Sequence, residues 1–255
     1  LSPNLRYTDR AATYARYRWD YAPQAIDVVL RCAQVGPASC LADIGSGTGI
    51  LTRHFVDRAQ RVYAVEPDAE MRAWAERAFT GIPSFKSISG SAEVTTLPDQ
   101  CVDLIIVGQA IHWFDALPAR REFQRILRPG GFLAILWNGG MDPAIGQALQ
   151  QVCTVENGWD ITPAANQPPA QPMSYYFSKE NLPQQSFPAT RAETWDEFFG
   201  GLCSASNAPD EANPLFANLR ASARRAFDAL STNGILNMHY STELIFGHLN
   251  QEKDT

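Results

Sequence analysis

Asp43-Ile44-Gly45-Ser46-Gly47-Thr48-Gly49 is the stretch on which the reading of this 255-residue chain turns. It grows out of Cys40-Leu41-Ala42-Asp43-Ile44, a run with the length and composition of a short buried strand. Alternating glycines permit unusual backbone angles and let a ligand approach the main chain with no Cβ in the way. In a parallel α/β sheet, a strand that opens into such a loop lies at the ligand crevice. The spacing is G-x-G-x-G. A dinucleotide loop has G-x-G-x-x-G, and its last glycine would fall on Ile50. The next strand, Arg61 to Val65, ends at Glu66, where a carboxylate can accept hydrogen bonds from both hydroxyls of a ribose.

Outward from this centre, strands and helices alternate. Helices are expected over Pro23 to Val35, Ile50 to Ala59 and Ala69 to Phe79, and another from near Pro118 that is stopped by Arg128-Pro129-Gly130-Gly131. Further strands are expected at Phe85–Ser89, Val102–Val107 and Phe132–Trp137. Five strands separated by helices predict a doubly wound α/β sheet covered on both faces. The second half differs. Helices are expected at Ala144–Val155, Trp195–Leu202 and Pro214–Leu230, a proline-rich loop at Thr162–Met173, and strands at Gln185–Pro188 and Ile235–Phe246. One domain results: N-terminal lid helices (1–36), a core (37–140), a cap insertion (141–183) and C-terminal strands and helices (184–255).

Acids outnumber bases, 27 to 21, and the net charge of -6 argues against nucleic acid as partner. The five cysteines are odd in number and dispersed, which fits reduced thiols in a cytoplasmic protein rather than a disulfide framework. The four histidines are also scattered, so no metal site is expected. No apolar run reaches the length of a membrane span, and Leu1-Ser2-Pro3-Asn4 lacks the pattern of a secretory signal.

Taken in order, these motifs resemble the class I S-adenosylmethionine-dependent methyltransferases, in particular the methyltransferase type 11 and trans-aconitate methyltransferase-like group. The resemblance runs from about Tyr14 to Trp137. It implies a seven-stranded Rossmann-like sheet with the last strand antiparallel, and S-adenosylmethionine as cofactor. Asp43, Gly45, Ser46, Gly47, Thr48 and Gly49 match the first motif, beside the methionine part of the cofactor. Glu66 matches the ribose-binding acid, Pro67 and Met71 the positions lining the adenine, and Ser91, Ala92 and Glu93 the segment at its edge. Gln109, Ala110 and His112 follow the fourth strand, in a segment Ile111-His112-Trp113-Phe114-Asp115 that closely resembles this group. Tyr17 and Arg18 match an early segment that folds over the cofactor, with Arg18 a candidate partner for its carboxylate.

The activity implied is methyl transfer to a small-molecule acceptor. His112 is the candidate proton acceptor for a neutral nucleophile. Trp113, Phe114, Tyr175, Tyr176, Trp195 and Phe199 are candidates for an aromatic substrate wall, Arg191 for a carboxylate clamp, and His239 for a secondary contact. Two other readings are a cofactor-binding scaffold without catalysis and a nicotinamide-dependent oxidoreductase, the second opposed by Ile50.

Overall fold

The computed structural model describes residues 10–161, 172–177 and 184–249. Seven strands form one sheet: β1 (Cys40–Ile44), β2 (Arg61–Glu66), β3 (Phe85–Ser89), β4 (Val102–Gly108), β5 (Leu127–Gly139), β6 (Gln184–Glu193) and β7 (Leu236–His248). Their spatial order is β3-β2-β1-β4-β5-β7-β6. The first five are parallel, and β7 runs antiparallel to both β5 and β6. The strand order reverses between β1 and β4, and the crevice of an open α/β sheet lies at that place. Register brings Asp43 beside Ala64 of β2 and Ile106 of β4, so three strand ends converge there.

Both faces of the sheet are buried, which explains the apolar runs Leu41-Ala42 in β1 and Leu104–Val107 in β4. On one face α4 (Ala116–Ile126) packs Phe123 and Ile126, both fully buried, with Tyr176 and Phe177 beside them. On the other lie α2 (Pro23–Cys32) and α3 (Ala69–Ala78), which contribute Ile26, Val29 and Ala75. Asp68 caps α3, accepting bonds from the amides of Glu70 (2.9 Å) and Met71 (3.0 Å). Proline at the first position of α2 supplies the helical φ without losing a needed N–H.

A third apolar cluster forms a helical cap. It joins α5 (Pro143–Val152), α6 (Trp195–Cys203) and α7 (Phe216–Leu230) through Val152, Phe198, Leu219 and Phe227. Each such buried side chain contributes about 1.5–3 kcal/mol. α6 begins in a capping box, in which Thr194 and Glu197 satisfy each other's backbone amides. The cap therefore draws on residues from both sides of β6, not on the 141–183 insertion alone. Among the described residues no helix is long and apolar enough to cross a membrane.

Three local expectations are corrected. Residues 50–59 form turns with a 3-10 segment at Thr52–His54, not an α-helix. Thr52 Oγ1 donates to Asp43 (2.6 Å), and His54 and Arg53 reach Asp20 at 2.7 and 2.8 Å; those outward ties hold the segment in a tighter path. Arg128–Gly131 does not separate helix from strand, because α4 ends at Ile126 and β5 starts at Leu127 with an irregularity opposite Val102/Leu104. The strand expected at Gln185–Pro188 is longer and continues to Glu193. Of the proline-rich loop, residues 162–171 lie outside the described residues.

Candidate functional site

The chain ends of β1, β2 and β4 open into two adjoining cavities. The smaller, about 120 Å³, is a slot lined by Glu66, Pro67, Asp68, Met71, Ser91, Ala92, Glu93, Ala110, Trp113 and Phe114. The larger, about 740 Å³, runs from the glycine loop up to the cap. Tyr14, Gly45, Gly47, Gly108 and Gln109 line both, and so mark the place where one cavity passes into the other.

Glu66 sits at the slot with 8% of its surface exposed. Its Oε2 accepts from the amide of Gly47 (2.8 Å) and its Oε1 from the amide of Asp68 (2.9 Å). Burial raises its pKa, and the two amide donors work against that rise. Each oxygen keeps a lone pair for a further donor. Gly45 and Gly47 both have positive φ, +69° and +56°. A Cβ on Gly45 would stand 2.6 Å from Ala110 Cβ, whereas on Gly47 it would meet no protein atom within 4 Å and would fill cavity space. The first glycine is required by packing and the second leaves room for a ligand.

In the larger cavity Asp43 is fully buried. Thr52 satisfies its Oδ2 while Oδ1 has no partner among the described residues, and burial pushes its pKa up to about 7. Ser46 Oγ, Thr48 Oγ1 and Arg18 Nε are likewise buried without hydrogen-bond partners among the described residues. Unsatisfied buried polar atoms are costly. Three of them, Asp43 Oδ1, Ser46 Oγ and Arg18 Nε, belong to residues that line the large cavity and fit a polar ligand that supplies the missing bonds. His112 borders this cavity, and the surrounding protein lowers its pKa, which favours the neutral imidazole at neutral pH.

A strap closes the site from above. α1 (Ala11–Tyr17) lies against α6, with the ring of Tyr17 so close to Gly200 that a Cβ there would stand 2.6 Å from it. The Arg10 guanidinium donates to the carbonyls of Ala205 and Ala208. Below the strap, Asn138 donates to the Asp20 carbonyl (3.0 Å), and the Ala22 amide donates to Thr242 (2.7 Å).

The structure thus gathers most of the expected cofactor residues. Tyr17, Arg18, Asp43, Gly45, Ser46, Gly47, Gln109 and His112 line the large cavity, and Glu66, Pro67, Met71, Ser91, Ala92, Glu93 and Ala110 the slot. Thr48 and Gly49 line neither, since Gly49 is turned against the ring of Phe79. The substrate wall is corrected more heavily. Trp113 and Phe114 belong to the slot. Tyr175 and Tyr176 pack on α4, beside Arg120 and Phe123. Trp195 and Phe199 stack on each other at 5.0 Å, and Arg224 lies over the Trp195 ring. Arg191 is outside the chamber, near Glu193 and Glu197 and donating to the Tyr17 carbonyl, and His239 is an exposed partner of Thr190.

None of these six side chains reaches either cavity. The chamber walls instead include Tyr14, from the early segment, and Trp19, Tyr21, Asn138, Trp159, Glu193 and Phe198, which the sequence reading missed. Tyr14 opens the Tyr14–Arg18 segment that resembles the group, Tyr21 follows it closely, and Phe198 neighbours Phe199 one helical position away. Helix phase was the available signal there.

Residues 42–135 match the family of the methyltransferase domain. Over that span the chain is similar to methyltransferase domains. The matched span opens within β1 and closes within β5, so it holds both cavities' floor. An uncharacterized methyltransferase of Mycobacterium tuberculosis is 39% identical to the chain over 135 residues, 53% of each. A malonyl-[acyl-carrier protein] O-methyltransferase of Pectobacterium atrosepticum is 37% identical over 113 residues, 43% of each. The chain thus aligns with about half the length of the curated relatives it matches.

Among solved structures, a candidate type II methyltransferase from Anaeromyxobacter dehalogenans superposes with a TM-score of 0.63 at 21% identity, covering 91% of this chain and 98% of that one. The YcgJ protein from Bacillus subtilis gives 0.57 at 20%, covering 91% and 100%. At such identities the likeness is one of fold. It extends beyond the methyltransferase domain's matched span to most of the chain.

Proposed function

We propose that the chain transfers a methyl group from S-adenosylmethionine to a small molecule held in the larger cavity. The observation that carries this reading is the junction of the two cavities at Gly45, Gly47, Gly108 and Gln109, with Glu66 in the slot beyond it. An adenosyl group would lie along the slot and the junction, its ribose hydroxyls toward Glu66 and its base among Pro67, Met71, Ala92 and Phe114. Arg18 then faces the cofactor's carboxylate, while Asp43 Oδ1 and Ser46 Oγ supply acceptors for its amino group. When bound, the cofactor supplies a methyl group already activated by its sulfonium.

What remains for the protein is positioning and water exclusion. The strap and cap lie over the chamber, and the apolar part of its walls includes Leu149, Trp159 and Phe198. His112, held neutral by its surroundings, can take a proton from an acceptor that is not already anionic. The volume suits a metabolite better than a macromolecule, and the five free thiols fit a cytoplasmic setting.

Calorimetric titration with S-adenosylhomocysteine, followed by labelled-methyl transfer into a metabolite extract, tests this reading. Saturable binding and a labelled low-mass product are expected. Binding without any product would favour a scaffold, and absence of binding would remove the proposal.

A further inference from the structure

The cap end of the chamber holds a carboxylate that cofactor binding does not use. Glu193 closes β6 and is 1% exposed, yet it lines the cavity. Trp19 Nε1 donates to its Oε1 at 2.8 Å, and Arg191 Nε lies 3.5 Å from the same oxygen. Oε2 has no hydrogen-bond partner among the described residues. The nearby positive charge is shared, because Arg191 also stands 3.7 Å from Glu197. One guanidinium thus serves two carboxylates, and the local balance stays negative.

Keeping a carboxylate at such depth costs several kcal/mol, which a bound cation would offset. Trp19 turns its Nε1–H edge to this carboxylate, and Phe198 and Met238 line the same chamber. A buried carboxylate among apolar walls favours an organic cation over an anion, which would add like charge in a poorly solvated site. Arg18 is the one guanidinium among the described chamber walls, and the cofactor's carboxylate claims it in the proposed function, on which this argument rests.

We propose that Glu193 is a specificity-determining residue that selects an acceptor bearing a protonated amine and disfavours one bearing a carboxylate. The amine nitrogen is bound against Oε2, with the apolar part of the acceptor between Trp19 and the cap. A malonyl-type carboxyl acceptor, such as the Pectobacterium relative's name implies, is then a poor ligand for this chamber.

The test is calorimetry on the full chain saturated with S-adenosylhomocysteine, using 2-phenylethylamine, 2-phenylethanol and 3-phenylpropanoate as probes. The amine should bind about tenfold or more tighter than the other two. In Glu193→Gln, which keeps an oxygen for Trp19 but removes the charge, the three should level while the S-adenosylhomocysteine affinity is unchanged. Equal or tighter binding of the carboxylate by the unmutated chain, or an amine preference that survives the substitution, overturns the proposal. Failure of S-adenosylhomocysteine itself to bind would instead reject the cofactor reading, and this proposal with it.

Discussion

The backbone amide of Gly47 donates to Glu66 Oε2 at 2.8 Å, so the loop after β1 and the acid at the end of β2 form one unit. The carboxylate both shapes the loop and offers lone pairs to a ligand. Glu66→Gln should uncouple the two. One amide nitrogen would have to face the N–H of Gly47 or Asp68, and the charge that favours ribose hydroxyls would be lost. Affinity for S-adenosylhomocysteine should drop about 10- to 100-fold, corresponding to roughly 1.5–3 kcal/mol for a hydrogen-bonded charge. Unchanged affinity in a titration would contradict the role given to Glu66.

The two glycines of the loop should fail differently. Gly45→Ala drives a Cβ into Ala110 at positive φ and should lower stability by about 1–3 kcal/mol in a denaturant melt. Gly47→Ala meets open space and should cost only about 1 kcal/mol of stability, from its left-handed backbone. Its ligand affinity should fall far more, since the methyl occupies the passage between the cavities. Loss of stability without loss of affinity at Gly47 would be the wrong outcome.

Adjacent glycines in α6 make a second pair. Gly200→Ala places a methyl in the ring of Tyr17, whereas Gly201→Ala meets nothing within 4 Å. Hydrogen exchange should show α1 loosened in the first variant and unaffected in the second. The second should gain up to about 1 kcal/mol from helix propensity. Equal protection of 11–17 in both variants would mean that the strap is not held by this contact.

Asp43 makes stability depend on pH in a definite sense. Its folded pKa of about 7 lies above the ordinary 3.8, so over that interval the folded state holds a proton that the unfolded state has released. Stability then falls as pH rises from about 4 to about 7 and levels off above. Asp43→Asn removes that slope. Thermal melts should therefore show the variant gaining on the unmutated chain as pH rises from about 5 to about 8; a pH-independent difference would speak against the shift.

His112 is read as neutral because burial lowers its pKa. If it takes a proton from the acceptor, His112→Asn should reduce kcat about 10²- to 10⁴-fold while S-adenosylhomocysteine affinity changes little. A fall in affinity with kcat preserved would make it a wall of the pocket instead.

The loop-and-acid half of the candidate site was legible as a geometric unit because its signal is local. Gly45, Gly47 and Glu66 act through backbone angles, the absence of a Cβ and the end of a strand, all of which follow from a few neighbouring residues. The acceptor half was not. Aromatic residues look alike in sequence whether they line a cavity or fill a core, and Trp195, Phe199, Tyr175 and Tyr176 proved to pack on protein. Helix 50–59 failed for a related reason: its side chains bond to Asp43 and Asp20, partners that propensity does not see.

By itself, then, the chain's order of residues determined the alternation of strands and helices, the switch-point loop after β1 and the acid after β2. Period and turn chemistry act over a few residues and need no distant partner. Tertiary structure alone decided which side chains face the chamber, because that depends on how α1, α5 and α6 meet across the sheet edge. Trp19 and Glu193, far apart in the chain, share a hydrogen bond only because β6 ends where the strap crosses it.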